Sequence, residues 1–312
     1  MNQAIEACPA QAVDFDKFSE RFLAREDAMI LIGQLNQLVK AVQRHRGISM
    51  GMLAGNTDFK NEFTKLQSQV ERRLATLEAF ARHNQMLNQR DKENLSLAWA
   101  TIHSNWEGDR LVDNFELHSH FIEQLLVMIA SLARKLELPL MMHADELSSS
   151  LGISSFSQAR ALQQSDILNF VGKLLPETIE QVARIRGTAA YAAAVTSMDG
   201  LDERKLRFWV SSLRKHAENI REQSEELDQE LGGVVSKLRL MKQNELQLLQ
   251  FLNTVESAVF MGKGGRDEAH RLFNMATDVI EVYWEIVMEG LAVVQTWQRE
   301  DLEAWMSLSP DA

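Results

Sequence analysis

What most constrains this chain is its near lack of residues that interrupt a helix. Its 312 residues include only 4 prolines and 15 glycines. Proline removes a backbone donor and clashes inside a helix, and a mid-helix glycine costs about 1 kcal/mol relative to alanine. Between the few breaks, apolar residues recur at three- and four-residue steps, the helical period. The expected fold class is therefore all-α.

The breaks divide the chain. A helical pattern runs from Phe18 to Ala54 and stops at Gly55-Asn56-Thr57-Asp58, where Thr57 or Asp58 suits an N-cap. Helices are expected from there to Arg82, from Asp91 to Trp106, and from Arg110 to Glu137, with Pro139 ending the last. Residues 139–158 carry serine clusters and a glycine and read as a linker. The pattern resumes near Ala159, Pro176 fits the first turn of a new helix, and further helices follow at 202–230, 234–260 and 266–305. This gives a loose N-terminal tail (1–15), a first bundle (16–138), a linker (139–158) and a second bundle (159–306).

The two halves resemble each other. An Arg-x-Arg-Gly run occurs in QRHRGISMGMLAG (43–55) and again in ARIRGTAAYAAAV (183–195), and each half ends on a similar late helix, NFELHSHFIEQLLVMI (114–129) and FNMATDVIEVYWEI (273–286). Arg46 and Arg186 lie 140 positions apart, which points to two tandem, weakly repeated four-helix bundles.

Helical spacing puts each arginine in a core stripe. Val39, Val42, Arg46, Ser49 and Leu53 share one face, as do Ile179, Val182, Arg186, Ala189 and Ala193. Gly47 and Gly187 follow, and small residues crowd the next turns, which lets another helix approach. A guanidinium in a bundle core is costly unless paired. Two such forks of donors can clamp a planar oxyanion. Alternatively, each arginine pairs with an internal carboxylate, Glu116, Glu123, Glu281 or Glu285 being candidates. Arg44 and Arg184 sit about 200° around the helix and point largely elsewhere. Ser49 and Thr188 lie within a turn and can offer a hydroxyl. The candidate ligand contacts are thus Arg46, Arg186, Arg44, Arg184, Ser49 and Thr188.

Other functions are disfavoured. A net charge of −11 without a basic run repels nucleic acid phosphates, so direct nucleic-acid binding is not expected. The single cysteine, Cys8, permits neither a disulfide framework nor a CxxC metal site. The N-terminus does not read as a signal peptide, and there is no run of about 18 apolar residues, so neither export nor a membrane span is expected. The expected location is the cytoplasm. His118, His120 and Glu116 lack the Glu-x-x-His pairs of a di-iron bundle, so no metal and no cofactor is expected. Gly262-Lys263-Gly264-Gly265-Arg266 lacks Walker spacing and a preceding strand, and reads as a helix–helix turn. No nucleophile–base arrangement stands out, so the chain is read as a non-enzyme.

The two Arg-Gly helices (LVKAVQRHRGISMGMLAG and EQVARIRGTAAYAAA) and the late helix DNFELHSHFIEQLLVMI resemble the NIT domain, the nitrate- and nitrite-sensing module of bacterial regulators. The resemblance covers about residues 25–300. It implies a pair of four-helix bundles that binds nitrate or nitrite through arginines and signals by helix rearrangement. Family members join the module to an output such as an ANTAR RNA-binding domain, a histidine kinase, a chemotaxis transducer or a cyclase. Here no recognisable output domain precedes Ala312, so the expected partner is a separate regulatory protein or an effector domain missing from the chain. A homodimer is one assembly such a sensor can adopt. The second repeat is more alanine-rich than the first, so equal use of both arginines does not follow. The competing function is a ligand-free helical scaffold whose arginines pair with internal glutamates.

Overall fold

A computed structural model describes residues 9–55, 60–84, 86–140, 154–195 and 200–308, and every regular element among them is helical. The first half holds α1 (Pro9–Leu53), α2 (Lys60–Asn84), α3 (Gln89–His103) and α4 (Leu111–Lys135). The second holds α5 (Ser154–Asn169), α6 (Leu175–Val195), α7 (Gly200–Leu231), α8 (Met241–Val255) and α9 (Arg266–Leu308). A π-turn, Phe170–Leu174, joins α5 to α6 without a break. Each half is thus a four-helix bundle.

The helix expected at 234–260 is α-helical only over Met241–Val255, between a 3-10 turn at Ser236–Leu240 and a π-turn at Glu256–Phe260, and other boundaries differ from the sequence reading as well. Pro9–Leu53 is one helix, so residues 9–15 are not a loose tail; proline suits the first helical position, where its missing N–H has no partner to lose. Ser154 already lies in α5, so 154–158 is helix rather than linker, consistent with the good helix formers that follow in Gln-Ala-Arg-Ala-Leu. Pro176 does not start a separate helix. It cannot donate to the carbonyl four residues back, and the helix accommodates this by widening one turn ahead, with Leu175 N–H bonded to the Phe170 carbonyl. The proposed N-caps Thr57 and Asp58, most of the linker, and Cys8 lie outside the described residues.

Three long rods organise the molecule. With 45 residues, α1 is about 67 Å long. It runs antiparallel to α9: Phe18 stacks on Trp305 at 4.6 Å, Gln295 reaches Glu26 at 3.3 Å, and Lys40 meets Glu281 at 3.6 Å. The α5–α6 rod also lies antiparallel to α9, from Arg160–Glu300 at 2.6 Å to Arg186–Thr277 at 3.0 Å. One contiguous apolar cluster draws residues from both halves, including Leu35, Ile122, Ile179, Leu213, Phe251 and Val287. The bundles therefore share a core.

Close approach at the π-turn depends on glycine. A Cβ on Gly172 would lie 2.5 Å from the Ala133 Cβ of α4, and one on Gly290 would lie 2.6 Å from Val171 Cγ1. Ala133 has no side chain to rotate away. We expect Gly172→Ala to destabilise the fold by about 1–3 kcal/mol in urea denaturation, despite alanine's better helix propensity. An unchanged midpoint would mean that the helices separate there without loss.

Candidate functional site

Among the described residues three arginines are buried: Arg25, Arg46 and Arg186. Arg25 donates to the Leu136 carbonyl at 2.8 Å and has Asp301 as its counter-charge. The other two sit where α1, α4, α6 and α9 meet, and their surroundings repeat. Arg46 Nη1 donates to Ser119 Oγ at 2.9 Å, Ser119 Oγ donates to the Phe115 carbonyl, and the guanidinium lies 5.0 Å from the Phe115 ring. Arg186 Nη1 donates to Thr277 Oγ1 at 3.0 Å, Thr277 Oγ1 donates to the Phe273 carbonyl, and the guanidinium lies 4.7 Å from the Phe273 ring. Each half thus supplies its arginine with a hydroxyl and a phenyl ring spaced one helical turn apart.

The halves differ in counter-charge. Arg46 is held in a fork by Glu180, Nη1 to Oε1 at 2.6 Å and Nη2 to Oε2 at 3.2 Å. Gln43 Nε2 donates to the same carboxylate at 2.9 Å, and Arg184 Nε donates to it at 2.7 Å. Burial alone would raise the Glu180 carboxyl, but the guanidiniums of Arg46 and Arg184 outweigh burial and hold it below its ordinary value. Arg186 has no carboxylate within ion-pair distance among the described residues, and its Nε has no acceptor. Burial, and next the nearby positive charge of Arg46, push its pKa down to about 10.

The sequence explains the asymmetry. The position equivalent to Glu180 in the first repeat, 140 residues earlier, is Lys40. Where one arginine meets a carboxylate, the other half offers another cation. Lys40 itself turns to Glu281 and lies 5.2 Å from the Trp284 ring.

Arg186 faces a cavity of about 770 Å³ between α1, α2, α6 and α9. Five cationic side chains line it (Lys40, Arg44, Arg73, Arg186, Arg266) against two carboxylates (Glu62, Glu281), in a chain whose net charge is −11. Trp284, whose Nε1 also lacks an acceptor, and Phe273 add aromatic wall. Gly47 and Gly187 are part of the lining, and a Cβ on Gly187 would crowd Met50 Sδ at 3.3 Å.

Of the six candidate contacts, Arg186 and Arg44 line this cavity; Arg44 is largely exposed and paired with Glu62. Arg46 is buried beside it against Glu180. Arg184 bridges Glu180 and Glu123, the latter at 2.7 Å. Ser49 does not line the cavity: its hydroxyl contacts the Arg46 carbonyl (2.9 Å) and Asn114 Oδ1 (2.7 Å). Thr188 lines a separate, small crevice with Met50, Phe115 and Trp209. Of the four proposed carboxylates, Glu116 meets Lys205, Glu123 meets Arg184, Glu281 meets Lys40 and Glu285 meets Lys237; the partner of Arg46 is instead Glu180.

A second polar group borders Arg46. His118 Nδ1 donates to the Asn114 carbonyl at 2.7 Å, which leaves its Nε2 to accept from His45 Nδ1 at 2.8 Å. His118 is therefore a core residue, while His120 is exposed. Among the described residues no cluster of three or more His, Cys, Asp or Glu is arranged to hold a metal, and no helix is long and apolar enough to cross a membrane.

Fold and site together define an all-α double bundle with one self-neutralised and one open arginine centre. Compared with protein-family models, curated proteins and solved structures, the chain matches none.

Proposed function

We propose that this chain is a sensor of a small oxyanion, nitrate or nitrite, which binds at Arg186. The observation that supports it is the pairing of two equivalent arginine centres of which, among the described residues, only one has a carboxylate. Arg186 is 6% exposed, has a hydroxyl and a phenyl partner of the same kind as those of Arg46, and borders a cavity with a surplus of cations. A planar anion at Arg186 would take the role Glu180 takes at Arg46. The anion would fill only the Arg186 end of the cavity, with water in the remainder. The choice of nitrate or nitrite rests on the NIT resemblance, as do cytoplasmic action and output through a separate regulatory protein or an effector domain.

The transmission route follows from the rods. Arg186 bonds α6 to α9, and Lys40 bonds α1 to the same stretch of α9. An anion that draws these side chains together would favour one packing of the rods over another, and α1 and α9 extend that difference to the Phe18–Trp305 end.

Nitrate or nitrite should raise the thermal midpoint in a concentration-dependent way, and Arg186→Met should abolish the shift. Chloride and sulfate at matched ionic strength are the controls. The competing reading is a ligand-free helical scaffold, which the internal Arg46–Glu180 pair favours; it predicts no anion-dependent shift in either protein.

A further inference from the structure

We infer that Glu180 is a built-in anion: its carboxylate occupies a second oxyanion site at Arg46, so removing it uncovers a cryptic site for a carboxylate-sized ligand such as formate. The inference extends the anion-sensor reading but stands on its own geometry.

Glu180 comes from the opposite half of the molecule to the arginine it neutralises. It crosses from α6 to α1 and meets Arg46 as an incoming anion would, with both oxygens on both terminal nitrogens (2.6 and 3.2 Å). The rest of the site is complete without it. Ser119 accepts from the guanidinium, the Phe115 ring lies against it, Gln43 supplies an amide donor at 2.9 Å, and Arg184 supplies a second cation at 2.7 Å. Arg46, Gln43 and Arg184 all donate to the Glu180 oxygens, and the site is buried, so any replacement anion would be poorly screened. The Arg186 centre has the same hydroxyl and phenyl frame, with Lys40 at the position equivalent to Glu180. The pair therefore reads as two anion sites of which one is filled by the chain itself. This accounts for a sensor that takes one external anion rather than two, and it explains why Arg46 does not line the open cavity.

Truncating Glu180 to alanine removes the carboxylate and leaves room for a formate. The test is made in the Arg186→Met background, so that binding at the open centre cannot contribute. Arg186→Met alone should show no saturable stabilisation by formate. Arg186→Met with Glu180→Ala should bind one formate per chain and gain thermal stability as it does, a saturable response that the single variant lacks. Sodium chloride at equal ionic strength should not substitute. If the double variant does not fold alone, it is refolded with and without sodium formate. Recovery that requires formate supports the inference, whereas recovery in neither condition, or in both without formate binding, overturns it. The outcome is separable from the sensor proposal: wild-type protein that ignores nitrate, alongside a formate-rescued Glu180→Ala variant, would remove the sensor reading and keep this one.

Discussion

Arg46→Met is expected to destabilise the protein by about 3–5 kcal/mol, while Arg186→Met is expected to leave stability unchanged or raise it by about 1–3 kcal/mol. The two arginines look alike in sequence, so the contrast comes from their partners. Removing Arg46 strands the Glu180 carboxylate, which is 3% exposed and left with Arg184 and Gln43. Breaking a buried ion pair by removing one partner is among the costliest changes a core can suffer, even where a second cation remains. Arg186 differs: it is buried without an ion pair among the described residues, and its pKa is pushed down to about 10 by burial and by Arg46. Each pKa unit is worth about 1.4 kcal/mol, so the charged form is penalised by roughly 3 kcal/mol. Methionine of similar length relieves that penalty and loses the Thr277 bond and the Phe273 contact. Equilibrium denaturation in urea checks both values. Equal destabilisation by the two substitutions would contradict the assignment of one arginine to the fold and the other to a ligand.

The second large effect is acid sensitivity centred on His45 and His118. Both rings are buried, at 1% and 0% exposure. Burial, and to a lesser degree the charge of His103, lowers the His45 pKa to about 4; burial, then the proximity of His45, lowers that of His118 well below its ordinary value. The hydrogen-bond chain needs a neutral His118, because its Nε2 must accept from His45 Nδ1. For a histidine with a depressed folded pKa, the unfolded chain takes up the proton first. Stability is therefore complete above pH 6.5 and falls as the pH drops toward 4. The His45 shift alone corresponds to roughly 3 kcal/mol lost across that window. His118 acts in the same direction. Glu180, whose folded pKa is also lowered, adds a further loss as pH falls below its unfolded value of about 4.5 and on through its folded one. Thermal midpoints measured from pH 7.5 to 4 should decline over this range. The His45→Leu, His118→Leu double variant should flatten the decline between pH 6.5 and 4, and an unflattened profile would place the sensitivity elsewhere.

The all-helical class and the repeat were legible because both rest on periodicity. Helix-breaking residues are rare enough to mark the ends, and the Arg-Gly runs align without gaps. The core position of both arginines also followed from spacing. Glu180 did not. It lies four residues before Arg184, the spacing of an ordinary solvated ion pair, and nothing local shows that it points across to α1. The stripe argument weakens where a helix is buried on most sides. From Thr178 to Gly187, eight of ten positions of α6 are buried, so a single apolar face no longer separates inside from outside. His45 was hidden for the same reason: it adjoins Arg46 on a stretch of α1 enclosed by Phe63, Trp99 and His118. The likeness of Ser119 to Thr277 and of Phe115 to Phe273 could have been found by aligning the late helices at their aromatic residues, since each hydroxyl follows its phenylalanine by four. The π-turn could not, because Pro176 is equally compatible with a helix start.

Calorimetric titration of the protein with nitrate and nitrite, run in parallel on Arg186→Met, tests the Arg186 centre as an anion site. An open arginine centre beside a self-neutralised one predicts saturable binding of one anion per chain, lost in Arg186→Met. Absence of binding by nitrate, nitrite and other small oxyanions, or binding that survives Arg186→Met unchanged, would contradict it.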